Sequence, residues 1–164
     1  MSPQLSMLLD TNVWLDYYLP WRGGHAAARQ LIERALEDNW TLVYAVSTAK
    51  DVYYLVSAEH KRAERAAAGS LSESAAQAAT ATAWGCINNM QAIACAVPLD
   101  HTDVWMASKQ RALHGDFEDD LVIASAMRGK VDYLVTNDET LLRHCPVAAL
   151  NATDMCKLLE IQQE

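Results

Sequence analysis

Short apolar, β-branched runs alternate with helical stretches along this chain, and no Asn-Gly-type hairpin joins one run to the next. Strands that never turn straight back on a neighbour need crossovers, and helices supply them. The alternation therefore predicts a parallel sheet with helices on both faces. Ser6 to Leu9 is the first strand candidate, and Thr11-Asn12, just past Asp10, offers capping oxygens for a helix. His25 to Asp38 places Ala28, Leu31, Ile32, Ala35 and Leu36 at helical intervals, and Thr41 to Val46 is a strand by composition. Ser47 is expected to cap the next helix, through Asp51, Tyr54, Leu55 and Ala58. The alanine-rich stretch from Ala58 to Ala83 reads as two helices broken at Gly69-Ser70, the second capped by Ser70 or Ser72 and reaching Met90. Ala92 to Val97 is a strand ended by Pro98, and Asp100 or Thr102 opens a helix through Val104, Trp105 and Ala107. Asp116 to Arg128 is a helix with Gly129 at its C-cap. Val131 to Thr136 is a strand, Asn137-Asp138 a turn and Glu139 to His144 a short helix. Val147 to Leu150 is the last strand, and Thr153 caps the closing helix.

At 164 residues, 51% of them hydrophobic, the chain can bury one core, and residues 1–164 read as a single domain. No run approaches a membrane span, and Met1-Ser2-Pro3-Gln4-Leu5-Ser6 lacks the basic start of a secretory signal. Cys86, Cys95, Cys145 and Cys156 form no CxxC pair, which predicts four reduced core cysteines in a cytoplasmic protein. The 13 Lys+Arg against 21 Asp+Glu leave a net charge of −8. That balance excludes a protein that coats nucleic acid by bulk electrostatics, but not one that brings metal ions to a small site.

In open parallel sheets, ligands bind beyond the carboxyl ends of the strands. Asp10 ends the first strand and Asp138 follows the fourth. Asp51 lies one turn into the helix after the second, and Asp116, Asp119 and Asp120 open the helix leading to the fourth. Carboxylates converging on one rim repel each other unless hard divalent cations neutralise them, and all-oxygen ligation suits Mg²⁺ or Mn²⁺. Simpler roles stay open. Asp116 and Asp119 fit a D-x-x-D cap, Asn137-Asp138 suits a plain turn, and Asp51 could be an ordinary helical residue. Asp10 has fewer structural uses.

Other chemistries lack their residues. The chain has no G-x-x-x-x-G-K-[ST], G-x-G-x-x-G or G-x-S-x-G. Asn12 stands where a haloacid-dehalogenase phosphatase needs its second Asp, and the strand ending in Val97-Pro98 carries no receiver aspartate. His25, His60, His101, His114 and His144 are scattered, which assigns them to surface or capping roles.

Leu8-Leu9-Asp10-Thr11-Asn12-Val13, Ser47 with Asp51-Val52-Tyr53-Tyr54, Asp116-Phe117-Glu118-Asp119 and Asp132-Tyr133-Leu134-Val135-Thr136-Asn137-Asp138 together resemble the ordered motifs of PIN-domain nucleases, nearest to the VapC-like toxin type. The resemblance spans residues 6–155. It implies a three-layer α/β/α sandwich around a parallel sheet of about five strands, in order 3-2-1-4-5. It further implies a Mg²⁺- or Mn²⁺-dependent endoribonuclease holding one or two ions, the toxin of a toxin–antitoxin pair. Asp10, Asp119 and Asp138 would bind metal with Asp116 as an auxiliary acid, and Asp51 would join the catalytic acids in a place where many members carry Glu. Asp120 stands where the family usually has a small residue. Asn12, Ser47, Thr136 and Asn137 would support the acids, while Lys50, Lys61, Arg62 and Arg65 are candidate RNA contacts. A small antitoxin and a homodimer are the implied partners. The competing reading is a PIN-like binding or regulatory protein that kept the fold and lost turnover. A phosphatase of another α/β family ranks below both, because of Asn12.

Overall fold

The computed structural model describes residues 4–111 and 115–161; His114 lies outside them. Elements follow in the order β1 (Ser6–Leu9), α1 (Thr11–Tyr18), α2 (His25–Glu37), β2 (Thr41–Ala45), α3 (Val46–Ala68), α4 (Glu73–Ile93), β3 (Cys95–Val97), α5 (His101–Gln110), α6 (Phe117–Gly129), β4 (Tyr133–Val135), α7 (Glu139–His144), β5 (Ala149–Leu150) and α8 (Ala152–Ile161). The strands form a sheet in the order β3-β2-β1-β4-β5. Every pairing is parallel, with Leu8 opposite both Val43 and Leu134.

Successive side chains of a strand point to opposite faces, and this builds the layers. Met7 and Leu9 of β1, Leu42 and Tyr44 of β2 and Val135 of β4 join one core with Leu31, Ile32, Val52, Met90 and Met155, so α1, α2, α3, α4 and α8 cover that face. Leu8, Val43 and Leu134 point the other way and meet Val122 and Ala126 of α6. Trp14 is fully buried in the larger core, stacked on Tyr18 and edge-on to Tyr44.

Several boundaries differ from the sequence expectations, each for a local reason. Helix α3 starts at Val46, with Ala45 in the cap position and no side-chain cap bond, so Ser47 lies inside the helix. The alanine-rich stretch does split where expected: Gly69 closes α3 with φ 75°, and the Ser72 hydroxyl accepts from Ala75 N–H at the start of α4. Helix α4 continues through Ala92 and Ile93, leaving only Cys95 to Val97 as strand. Gly129 is the last residue of α6, and Lys130 takes the left-handed turn at φ 48°. The glycine serves closeness instead, because a Cβ there would stand 3.0 Å from Val97 Cγ2. Helix α8 already includes Thr153; Asn151 Oδ1 accepts from Asp154 N–H at 2.8 Å and does the capping. Asp100 opens α5 in a reciprocal box with Asp103, as one of the two expected caps.

The four-core-cysteine expectation is corrected. Cys86 and Cys156 are buried, but Cys145 is half-buried and Cys95 is exposed on an edge strand; all four are free thiols. Among the described residues, no helix is long and apolar enough to cross a membrane.

Candidate active site

The β1–α1 junction sets the first acid. Asp10 N–H still donates to Val135 O at 2.9 Å, so the sheet holds the backbone right up to this side chain. Its carboxylate is 5% exposed and satisfied on both oxygens. Oδ1 accepts from Thr11 N–H at 2.7 Å, capping α1; Oδ2 accepts from the Thr136 hydroxyl at 2.7 Å and from Asn12 Nδ2 at 2.9 Å. Burial raises its pKa above the ordinary 3.8 with help from the charge of Asp138, while the hydrogen bonds pull the other way.

Order 2-1-4 in the sheet makes β1 and β4 neighbours where the chain changes direction, so their carboxyl ends share a crevice. Fully buried Thr136, just past β4, ties the two ends together. Its hydroxyl oxygen accepts from Asp138 N–H at 3.0 Å and Asn12 Nδ2 at 3.2 Å while its proton goes to Asp10. Asn12 Oδ1 in turn accepts from Asn137 N–H at 3.0 Å. Asp138 caps α7 through Oδ1, which accepts from Thr140 and Leu141 N–H at 2.7 and 3.0 Å.

Helix α6 brings its N-terminus to the same rim. Asp116 Oδ1 caps it, accepting from Glu118 N–H at 2.9 Å and Asp119 N–H at 3.4 Å. Asp119 feels partial burial first, then the charges of Asp116, Asp10, Asp138 and Glu118, and its pKa rises from 3.8 to about 7. Glu118, absent from the expected site, belongs to this cluster. Partial burial and a hydrogen bond with Asp51, reinforced by the charges of Asp51, Asp116 and Asp10, raise it from 4.5 to about 7. Two carboxyl groups share a hydrogen bond only when one carries a proton. The longer Glu118 side chain thus reaches the shorter Asp51 from the facing helix. Its sequence signal was the extra acid in Asp116-Phe117-Glu118-Asp119, although its partner on α3 is far away in the chain.

Asp119 thus feels Asp10, Asp116 and Asp138, and Glu118 feels Asp10, Asp51 and Asp116, so the expected acids gather around these two side chains. Asp120 follows Asp119 by about 100° around the helix and is buried at 3% exposure. Of the basic candidates, Lys50 reaches the cluster, with Nζ 2.9 Å from Asp51 Oδ1. Lys61, Arg62 and Arg65 lie ten or more residues further along α3, roughly 15–20 Å away down the axis. Arg62 there is paired with Glu59 at 2.6 Å.

Among the described residues, no three His, Cys, Asp or Glu side chains stand as a ready-made metal cage. The acids converge electrostatically rather than as closed ligands. Their chemistry nonetheless fits a hard divalent ion: the donors are carboxylate oxygens, and the rise at Asp119 and Glu118, due first to burial, comes in part from neighbouring negative charge that such an ion would relieve.

A sequence model of the PIN domain matches residues 6–140, and the chain belongs to that family, whose members are nucleases. The fold is similar to a chain of VapBC2 from Rickettsia felis, solved bound to a DNA fragment from their promoter. The match has a TM-score of 0.62 at 14% sequence identity, and covers 90% of this chain and 98% of that one. No curated protein matches by sequence.

Proposed function

We propose that this chain is a divalent-cation-dependent endoribonuclease that hydrolyses RNA phosphodiester bonds, with Mg²⁺ or Mn²⁺ as cofactor. The observation that carries the reading is Asp10: a buried carboxylate at the carboxyl end of β1, fixed by Thr11, Asn12 and Thr136 and facing other acids across the crevice. Asp10, Asp119 and Asp138 would hold one or two ions, with Asp116 beside them and Asp51 at the edge. When bound, the ion supplies charge neutralisation at the phosphate and a water of lowered pKa. The chain's own residues do the rest. Thr136 and Asn12 keep the Asp10 carboxylate in one orientation. Partial burial and the neighbouring Asp51 favour a protonated Glu118 near the site, and Lys50 places positive charge at its edge, where a phosphate backbone would pass. A toxin role, with a small antitoxin as partner and two copies in the assembly, draws its support from the likeness to VapBC2.

The test is cleavage of structured RNA by purified protein with Mn²⁺, in excess chelator, and with Asp10→Asn. Cleavage that needs the ion and disappears in Asp10→Asn supports the reading. Equal activity in chelator overturns it. Mn²⁺ binding without turnover would favour the non-catalytic PIN-like alternative, and hydrolysis of a small aryl phosphate would favour a phosphatase.

A further inference from the structure

Asp16 is a buried carboxylate that the proposed chemistry does not use. It lies on α1, one and a half turns past Asp10, with a relative exposure of 5%. Oδ1 accepts from Arg22 Nε at 2.6 Å, and Oδ2 accepts from Asn137 Nδ2 at 2.9 Å. Its backbone carbonyl accepts from His25 Nδ1 at 2.8 Å. A charge taken out of water needs such partners, and each of these comes from outside α1.

The surroundings are shaped to this carboxylate. Gly24 stands where an added Cβ would come 2.0 Å from Asp16 Oδ2 and 2.6 Å from its Cγ. Gly24 has φ −83° and ψ −3°, a conformation open to any residue, so its lack of a side chain serves the space rather than the backbone. The oxygen it makes room for, Oδ2, is the one that accepts from Asn137. That residue is exposed, yet its backbone N–H donates to Asn12 Oδ1 at 3.0 Å while its side chain donates to Asp16. Its own Oδ1 also accepts a long 3.5 Å bond from Ala152 N–H, so Asn137 is fastened at three points, and the next residue is Asp138.

We propose that Asp16 is a positioning residue of the acid cleft: held by Arg22 and fitted against Gly24, its carboxylate anchors the Asn137 side chain and so sets where Asp138 presents its own. An acceptor-only group is required, because the two donors approach separate oxygens. Asparagine would turn an N–H₂ toward one of them. The kinetic part of this inference rests on the nuclease reading; the anchoring part does not.

Two measurements separate them. In the ¹⁵N-labelled protein kept in chelator, the Asn137 side-chain amide protons should exchange slowly with solvent. They should become fast in Asp16→Asn, and in Gly24→Ala, which displaces the carboxylate without altering it. Fast exchange in the unmodified chain, or slow exchange retained in either folded variant, overturns the anchor. With RNA and Mn²⁺, Asp16→Asn should lower kcat about tenfold or more, with KM little changed. In an Asn137→Ala background the same change should cost under about twofold. Fully additive losses would show that Asp16 acts only through stability and overturn the proposal. Absence of RNA cleavage by the unmodified chain would count against the nuclease reading alone, since the exchange measurement would still decide the anchor.

Discussion

Asp119→Asn tests whether the acid rim is an electrostatic burden on the free protein. In the unfolded chain this carboxyl ionises near 3.8, but in the fold only near 7. The native state therefore binds the proton more tightly. Stability is undiminished below pH 3.8, falls as pH rises toward 7, and stays lowered above it. At about 1.4 kcal/mol per pH unit, the displacement would correspond to about 4 kcal/mol for a dry group. Asp119 is only half-buried, and solvent screening brings this to roughly 1–2 kcal/mol. One term opposes it: a negative charge in the first turn of α6 gains about 0.3–1 kcal/mol from the helix dipole. Repulsion and burial win by roughly 1 kcal/mol, worth about 2–4 °C in a chain of this size. In chelator at pH 8, Asp119→Asn should thus melt higher than the unmodified protein. At pH 5 the gain should be only partial, and below pH 3.8, where the carboxyl is protonated in both states, it should vanish. Mn²⁺ should reverse the order by stabilising the unmodified chain more, and calorimetry should show weaker Mn²⁺ binding by the variant. A lower melting temperature for Asp119→Asn at pH 8 in chelator, with unchanged Mn²⁺ affinity, would refute the argument and leave Asp119 as an ordinary acid of a helix start.

Other substitutions separate charge from scaffold. Asp116→Ala should cost about 1 kcal/mol through loss of the α6 cap, whereas Asp116→Asn should hold the melting temperature, since asparagine caps as well. Asp51→Glu should keep or raise RNA cleavage if that carboxylate serves the ion; complete loss in a folded variant would remove Asp51 from the site. Asp103 is 3% exposed, completes the capping box of α5 and accepts from Arg128 Nε of α6 at 2.8 Å. Asp103→Ala should lower urea stability by about 2 kcal/mol without changing Mn²⁺ affinity, because it joins α5 to α6 away from the rim.

What could be read from the sequence depended on the range of the forces involved. The sheet order followed from family motifs, and β1, β2 and β4 from apolar runs whose alternate residues serve two cores. The strand through Ala92 and Ile93 was misplaced because nothing local stops α4 there; the chain turns extended only at Ala94. Gly129 carried a C-cap signal, but packing against Val97 claimed it, and Lys130 took the left-handed turn. Asp10, Asp119 and Asp138 could be placed at one rim because strand ends and helix starts are readable locally. The pairing of Glu118 with Asp51, and of Asp16 with Asn137, joins side chains far apart in sequence, and no local pattern encodes it.

Three acids of the rim are also helix caps: Asp10 for α1, Asp116 for α6 and Asp138 for α7. The oxygens that start these helices and those offered to a cation belong to the same carboxylates, and asparagine can perform the first duty without the second. A descendant with asparagine at all three positions would keep its helix starts, its sheet order and its outline, yet have lost the charge that any nuclease chemistry here requires. Shape would then be inherited long after activity had gone. For chains built this way, the identity of three side chains tells an active copy from a silent one better than the fold does.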